Sequence, residues 1–150
     1  GVDGRRGKFG RVRHLLLLDT NALLWVSGGS ARLGRQARAA IQAAIDKSEA
    51  AFSAVSVWEV ALLVRKGRYA LGQPIELWRD DLLQAGIKEI DLDGAMAALS
   101  ASLVDLHDDP ADRFIAATSV RLGAQLVTSD AQLIAWSANH APAPALDARK

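Results

Sequence analysis

The hydrophobic pattern of the chain alternates between short apolar runs and longer helix-favouring segments. Each apolar run has the length of a β-strand. The runs cover residues 15–18, 50–54, 87–92 and 124–128. The segments between them have helical periodicity or helix-favouring composition. They predict helices over residues 32–47, 57–66, 75–85, 94–104 and 111–122. Because strands that alternate with helices form parallel sheets covered on both faces, the pattern predicts an α/β fold.

The composition indicates one compact domain. The chain has 150 residues, of which 50% are hydrophobic and 23% are charged, and this length suffices to bury a sheet without covalent cross-links. It contains no cysteine, which excludes disulfides, thiolate metal sites and a cysteine nucleophile. We place the domain at residues 15–138.

Both ends of the chain differ in composition from this domain. Residues 1–14 carry five basic side chains against one acidic side chain, and we expect a basic flexible arm or a tag remnant. Ala-Pro repeats and charges predict a flexible tail at residues 139–150. Since no apolar run approaches the roughly 20 residues of a membrane span, we expect no membrane association and a cytoplasmic location.

Four acidic residues are expected to meet at one edge of the sheet. Asp19 follows the first strand directly, and Asp130 lies two residues past the last strand. Glu59 and Asp112 lie in the first turns of the helices that follow the second strand and precede the last strand. Ligands of open parallel sheets bind beyond the carboxyl ends of the strands. All four carboxylates are predicted to arrive at that edge.

Each of these acids also has a structural explanation. Asp19 and Asp130 could cap helices, Ser56 and Glu59 match a capping box, and Asp112 suits the positive end of a helix dipole. The convergence of all four favours a metal site, because crowded carboxylates repel one another unless a cation lies between them. Oxygen ligands without cysteine or a His-x-x-His spacing indicate Mg²⁺ or Mn²⁺. The fitting reaction is hydrolysis of a phosphodiester by a metal-activated water, with one ion or two.

Four motifs in this order carry a family resemblance. They are LLDTN at residues 17–21, SAVSVWEVA at 53–61, DPADR at 109–113 and LVTSD at 126–130. With them the chain resembles the PIN-domain ribonucleases, specifically the VapC toxins of VapBC toxin–antitoxin pairs, from about residue 15 to residue 136. The resemblance implies a PIN-like three-layer α/β/α domain with a four- to five-stranded parallel sheet. It also implies a metal-dependent endoribonuclease, the toxin of a type II toxin–antitoxin system, which uses Mg²⁺ or Mn²⁺.

The resemblance assigns roles to individual residues. Asp19, Glu59, Asp112 and Asp130 would be the catalytic and metal-binding carboxylates, with Glu59 either a ligand or the group that orients the attacking water. Hydrogen bonds to these carboxylates are expected from a second set of residues, namely Thr20, Asn21 and Ser129. Asp109 is expected to cap or brace the helix that carries Asp112, or alternatively to belong to this second set.

The resemblance further implies an RNA substrate, a VapB-type antitoxin and a homodimer. Candidates for contact with RNA phosphates are Arg65, Lys66, Arg68 and Arg113, although Arg113 could instead pair with Asp112. The helical hairpin of residues 57–85 offers apolar surface for a partner, which core packing also explains. Its apolar side chains are Trp58, Leu62, Leu63, Leu77, Trp78 and Leu82. We assign no catalytic role to His14, His107 or His140.

Two other function classes place acids at the same edge. A haloacid-dehalogenase-like phosphohydrolase also has an aspartate after its first strand, but it needs a second aspartate two residues later, where this chain has Asn21. In a non-catalytic binding domain, the acidic edge would dock a basic partner. Asp19→Asn separates these classes, because it should abolish turnover in a nuclease and preserve partner binding in a docking domain.

Overall fold

A computed structural model describes residues 14–150 and places five parallel strands in one sheet. The order across the sheet is β3, β2, β1, β4 and β5, so the first strand of the chain lies at the centre. This confirms the predicted parallel α/β fold. The strands are β1 (Leu16–Leu18), β2 (Ala50–Ser53), β3 (Lys88–Ile90), β4 (Gln125–Thr128) and β5 (Leu146–Asp147).

Seven helices connect the strands within residues 14–150. All five predicted helices are present, and two of their starts are shifted by three residues: one begins at Arg35 instead of residue 32, and another at Ala54 instead of residue 57. The helices are α1 (Thr20–Ser27), α2 (Arg35–Asp46), α3 (Ala54–Arg65), α4 (Ile75–Gln84), α5 (Gly94–Ser102), α6 (Pro110–Leu122) and α7 (Ala131–His140).

The helices form two layers, one on each face of the sheet. Successive side chains of a strand point to opposite faces, so Leu16 and Leu18 pack with Phe52 in one hydrophobic cluster, whereas Leu17 packs with Leu126 in another. Residues of α1, α2 and α4 complete the first cluster, and residues of α6 and α7 complete the second. The three-layer α/β/α arrangement is confirmed, and burial of both sheet faces explains the uninterrupted apolar runs.

Helix α6 illustrates how local sequence brings one acid to the site. Asp109 caps its N-terminus, and Pro110 occupies the first turn, where its missing N–H costs no hydrogen bond. Gly123 ends the helix with a φ of +65°, a left-handed conformation that glycine adopts without strain. These signals define the two ends of α6 and place Asp112 in its first turn.

Two helices were not predicted, and both begin at an acidic residue of the site. Asp19 caps α1 by accepting a hydrogen bond from the N–H of Ala22, and Asp130 caps α7 by accepting from Gln132 and Leu133. Helix α1 is apolar over most of its length and has buried residues in its first half. It therefore lacks the polar face that marks a surface helix in a sequence.

The prediction of a flexible tail over residues 139–150 is wrong. Helix α7 continues to His140, and β5 pairs with β4 through Leu146 and Asp147. Beyond the strand, Ala148 is completely buried, and its carbonyl accepts a hydrogen bond of 2.8 Å from the N–H of Gly34. A two-residue strand is too short to produce a periodic pattern, which is why the sequence did not reveal it.

Other expectations about the ends and the membrane have different outcomes. The predicted basic arm lies outside the described residues except for His14, which is exposed. None of the helices within residues 14–150 is long and apolar enough to cross a membrane.

Candidate active site

Asp19 is the most buried carboxylate of the acidic group, with 4% of the residue exposed. It directly follows the central strand β1, so the fold carries it to the middle of the carboxyl edge. One oxygen accepts a 2.9 Å hydrogen bond from the N–H of Ala22, and the other accepts one from the Thr128 hydroxyl. Burial raises the pKa of Asp19 to about 6, although both hydrogen bonds favour the ionised form.

Thr128 is a site residue that the sequence reasoning missed. Its hydroxyl donates to Asp19 and accepts a 3.0 Å hydrogen bond from the N–H of Asp130, so it connects two of the acids. The register of the sheet explains this position. Strands β1 and β4 pair with Leu18 opposite Val127, and the next residue of each strand end is therefore Asp19 opposite Thr128. Thr128 lies in the LVTSD motif, but its contact with Asp19 could be predicted only with the pairing of the two strands in hand.

Glu59 is held by a chain of two hydroxyl groups. The Thr20 hydroxyl donates a hydrogen bond of 2.5 Å to Glu59 Oε1, and the Ser56 hydroxyl lies 2.9 Å from Thr20 Oγ1. A hydroxyl has one proton, and Thr20 uses its proton in the hydrogen bond to Glu59. The Ser56 hydroxyl is therefore the donor in its hydrogen bond with Thr20. Burial raises the pKa of Glu59, and the negative charge of Asp109 raises it further.

The capping box suggested for Ser56 and Glu59 does not form. Helix α3 starts two residues before Ser56, and its N-cap is Ser53, whose hydroxyl accepts a 3.1 Å hydrogen bond from the N–H of Val55. Ser56 and Glu59 consequently lie within the helix, where their side chains are free to face Thr20. The structural explanation of Glu59 is thereby removed.

Asp112 lies where several negative charges meet. Burial is the main cause that raises its pKa to about 8, and the charges of Asp109, Asp130 and Asp19 add to the effect. Asp109 Oδ2 also accepts a hydrogen bond of 3.4 Å from the backbone N–H of Asp112. A carboxyl group with so high a pKa lacks a countercharge, and either a proton or a cation satisfies it.

His107 lies against this group, although from the sequence we assign it no catalytic role. Its Nε2 lies 3.1 Å from Asp112 Oδ2, in an orientation that gives that buried nitrogen no hydrogen bond to residues 14–150. Its Nδ1 accepts a 3.2 Å hydrogen bond from the N–H of Asp109. A nitrogen that accepts carries no proton, so the imidazole proton is assigned to Nε2, which faces the carboxylates. A lone histidine in a loop gave no sequence signal for this placement.

The donor set fits a divalent cation. Ligand atoms of His107, Asp112 and Asp130 all lie within 4.8 Å of one another, and the charge of Asp19 is close enough to raise the pKa of Asp112. Carboxylate oxygens are the ligands that Mg²⁺ and Mn²⁺ prefer. His107 is the poor member of the set, because a ligating Nε2 would have to lose the proton that the Asp109 N–H forces onto it.

The remaining predicted neighbours of the acids lie as follows. Asn21 is exposed in the first turn of α1, and Ser129 is half-buried between β4 and α7. The negative charge of Asp109 raises the pKa values of both Glu59 and Asp112. Asp109 therefore combines the helix cap with a place in the acidic group.

The basic residues differ in their surroundings. Lys66 and Arg68 line a cleft of about 300 Å³ together with Glu59 and Asp109, and Arg65 is exposed at the end of α3. Lys66 and Arg68 are therefore available near the acids, whereas Arg65 does not line this cleft.

Arg113 has a structural role instead of the expected contact with RNA phosphate. Its guanidinium donates hydrogen bonds of 2.8–3.4 Å to backbone carbonyls at the end of α5 and in the segment that connects α5 to α6. An arginine whose donors face carbonyl oxygens has little capacity left for phosphate. The carbonyls belong to Ser100, Ala101, Leu103, Leu106 and His107.

Comparisons with known proteins agree with this geometry. The PIN domain family model matches residues 16–137, which include all four carboxylates. The chain is also 34% identical over 119 residues to a protein named Ribonuclease VapC22 from Mycobacterium tuberculosis, and the match covers 79% of this chain and 88% of that protein. The chain belongs to the PIN domain family.

Proposed function

We propose that this protein is a metal-dependent endoribonuclease and the toxin of a type II toxin–antitoxin system. One observation carries the proposal: Asp19, Asp112 and Asp130 come from three distant segments, and burial and mutual repulsion raise the pKa values of Asp19 and Asp112. Clusters of acids with strongly raised pKa values are concentrated at functional sites of proteins. Family membership and the ribonuclease name of the relative support the choice of RNA hydrolysis.

Asp19, Asp112 and Asp130 are the residues that would hold Mg²⁺ or Mn²⁺. A bound divalent cation supplies the positive charge that phosphodiester hydrolysis needs on its transition-state oxygens. The Thr128 hydroxyl, which also accepts from the N–H of Asp130, donates to one oxygen of Asp19. The N–H of Ala22 donates to the other oxygen. The carboxylate therefore has a fixed orientation before any ligand binds, which reduces the cost of forming the site.

Glu59 is the residue that we assign to the attacking water. Its raised pKa makes it a better proton acceptor than an ordinary glutamate. The hydrogen-bond chain from Ser56 through Thr20 occupies Oε1, so the other carboxylate oxygen remains to orient a water and to receive its proton.

His107 acts as a donor in this proposal and not as a ligand. Nε2, which carries the proton, lies 3.1 Å from Asp112 Oδ2, and a rotation of the imidazole would turn that contact into a hydrogen bond. Such a bond fixes the orientation of Asp112 at the start of α6. His107 is thus a positioning residue for one of the carboxylates.

The cleft beside Glu59 suits both an RNA strand and a VapB-type antitoxin. Lys66 and Arg68 offer positive charge for phosphates, and Trp58 is 54% exposed at the same cleft. An antitoxin segment that covers Trp58 would also block access to Glu59 and would thereby exclude the substrate. We further propose that the chain forms the homodimer expected from the family resemblance.

Cleavage of a total RNA pool tests the proposal. Folded wild-type protein and Asp19→Asn are compared in the presence of Mg²⁺, Mn²⁺ or EDTA. We expect fragments with Mg²⁺ or Mn²⁺, none with EDTA, and none from the variant under any condition. Equal inertness of both proteins, free of antitoxin and confirmed to be folded, would reject catalysis and favour the docking domain. The phosphohydrolase alternative has no support from position 21, where the side chain is an exposed amide.

A further inference from the structure

A cavity of about 670 Å³ adjoins the acidic group. One wall is helix α7, which presents Gln132, Trp136 and Asn139. The opposite wall is the loop before α6, which presents Asp105 and His107. The volume lies in the range of pockets that bind small organic molecules.

The cavity is attached to the proposed metal centre at two points. His107 lines the cavity and also lies 3.1 Å from Asp112 Oδ2. Gln132 lines it as well, and its backbone N–H donates a 2.7 Å hydrogen bond to Asp130 Oδ1. A group bound in the cavity therefore lies next to whatever the carboxylates act on.

Both walls are held in place by contacts between them. The indole N–H of Trp136 donates a 3.1 Å hydrogen bond to the carbonyl of Val104 in the facing loop. His140 Nε2 lies 3.1 Å from Asp105 Oδ2, and the His140 ring stacks on Trp136 with centroids 6.0 Å apart. Arg113 fixes the same loop from behind through its carbonyl contacts. The cavity is preformed and needs little ordering to bind a ligand.

The chemistry of the lining selects a flat, neutral group with hydrogen-bonding edges. Gln132 and Asn139 lie on one face of α7 about 10 Å apart along the helix, and each amide both donates and accepts. Asp105 adds an acceptor, and the lining formed by residues 14–150 includes neither lysine nor arginine. A phosphate would meet the carboxylate of Asp105 and no lysine or arginine, whereas a nucleobase would find amide partners and the ring of His140.

We propose that this cavity binds and selects the nucleobase adjacent to the scissile phosphodiester of the RNA substrate. The inference rests on the proposed ribonuclease function, and it assigns the specificity to a surface separate from the carboxylates. Gln132 and Asn139 read the edge of the base, and His140 supports its face.

The test compares cleavage-site profiles on single-stranded RNA with randomised positions. Wild-type protein, Gln132→Ala/Asn139→Ala and Gln84→Ala digest the same library with Mn²⁺, and sequencing of the fragments gives the base preference around each cut. Gln84 is a matched control, since it is an exposed amide at the C-terminal end of α4. We expect the ratio of cleavage at the preferred base to cleavage at the other bases, at one position beside the cut, to fall about tenfold in the double variant. The control should keep the wild-type profile.

A second measurement does not depend on cleavage. Labelled Asp19→Asn protein is titrated with an RNA oligonucleotide of the preferred sequence and with one that is abasic at the selected position. We expect the NMR signals of the Asn139 side-chain amide and the Trp136 indole N–H to shift only when the base is present.

The outcomes separate the two proposals. Metal-dependent cutting with an identical base profile in wild type and double variant would overturn the inference and leave the proposed function standing, and so would equal NMR shifts with both oligonucleotides. Folded wild-type protein that cuts no RNA with either metal would overturn the proposed function and this inference with it. A relaxed profile in the double variant alone supports the inference.

Discussion

The hydroxyl of Thr128 donates a hydrogen bond to the carboxylate of Asp19, a residue 109 positions earlier in the chain, across the junction of two neighbouring strands. The acid is buried, so no water replaces a lost donor. We expect Thr128→Val to lower cleavage roughly tenfold or more by weakening cation binding. We also expect it to reduce the free energy of unfolding by about 1–3 kcal/mol. Initial rates of RNA cleavage and denaturant titrations measure both effects.

Thr118→Val is the matched control for this substitution. Thr118 is a fully buried threonine of α6 whose hydroxyl donates to the carbonyl of Phe114, away from the carboxylates. Loss of the Thr118 hydroxyl should lower the free energy of unfolding and leave the metal-dependent rate of RNA cleavage unchanged. Equal cleavage by the two variants would contradict the role of Thr128 at the site.

The assignment of the His107 proton to Nε2 leads to a second prediction. Because a donor is not a ligand, we expect His107→Ala to change Mn²⁺ affinity by less than about threefold and to lower the cleavage rate by roughly tenfold. The amide N–H of His107→Gln reaches a similar position and should recover part of the rate. Calorimetric titration with Mn²⁺ and single-turnover kinetics provide the two readouts. A loss of Mn²⁺ affinity equal to that of Asp112→Asn would show that the imidazole is a ligand after all.

Arg113 holds the loop that carries His107 through hydrogen bonds to three carbonyls of that loop and one carbonyl of α5. Lysine keeps the charge but lacks the planar fork that serves several carbonyls at once. We expect Arg113→Lys to lower the free energy of unfolding by roughly 2–4 kcal/mol. Arg121→Lys on the same helix is the control, since Arg121 is exposed and its partner Asp93 lies 4.0 Å away. Denaturant titration that finds both variants as stable as wild type would contradict this structural role.

The raised pKa values of Asp19 and Asp112, about 6 and about 8, imply a stability that depends on pH and on metal. Between about pH 4 and pH 8 the folded state binds more protons than the unfolded chain, so the free energy of unfolding falls as pH rises through this window. A divalent cation replaces those protons, and its stabilising effect should therefore be larger at about pH 8 than at about pH 5.

Thermal denaturation at these two pH values, with EDTA or with Mg²⁺, measures the dependence. In EDTA, Asp112→Asn should reduce the loss of stability between about pH 5 and pH 8, because it removes the group with the higher pKa. A wild-type Tm in EDTA that rises from about pH 5 to about pH 8, with no difference from the variant, would be incompatible with the crowded carboxylates.

The sequence predicted the part of the fold and site that depends on topology. Strands and helices in alternation gave the parallel sheet, and the sheet brought Asp19, Asp112 and Asp130 to one edge. Helix α6 was predictable because Pro110 and Gly123 mark its ends. These features are local patterns or direct consequences of strand direction.

The rest depended on pairing and packing that a single sequence does not display. The role of Thr128 follows from the register of two strands, and that of His107 from the path of a loop. Arg113 was expected at a phosphate because its charge is visible in the sequence and its carbonyl partners are not. The buried end at Ala148 arises from a two-residue strand that no periodicity reveals.

The central claim is that carboxylates from distant segments form one cation site. Calorimetric titration of the full chain with Mn²⁺ tests it most directly, with Asp112→Asn and Asp19→Asn as site variants. Asp80→Asn is the control, because Asp80 is an exposed acid of α4 outside the acidic group. We predict saturable binding by the wild-type and control proteins and at least tenfold weaker binding by each site variant. Binding of equal strength by all four folded proteins would contradict the account.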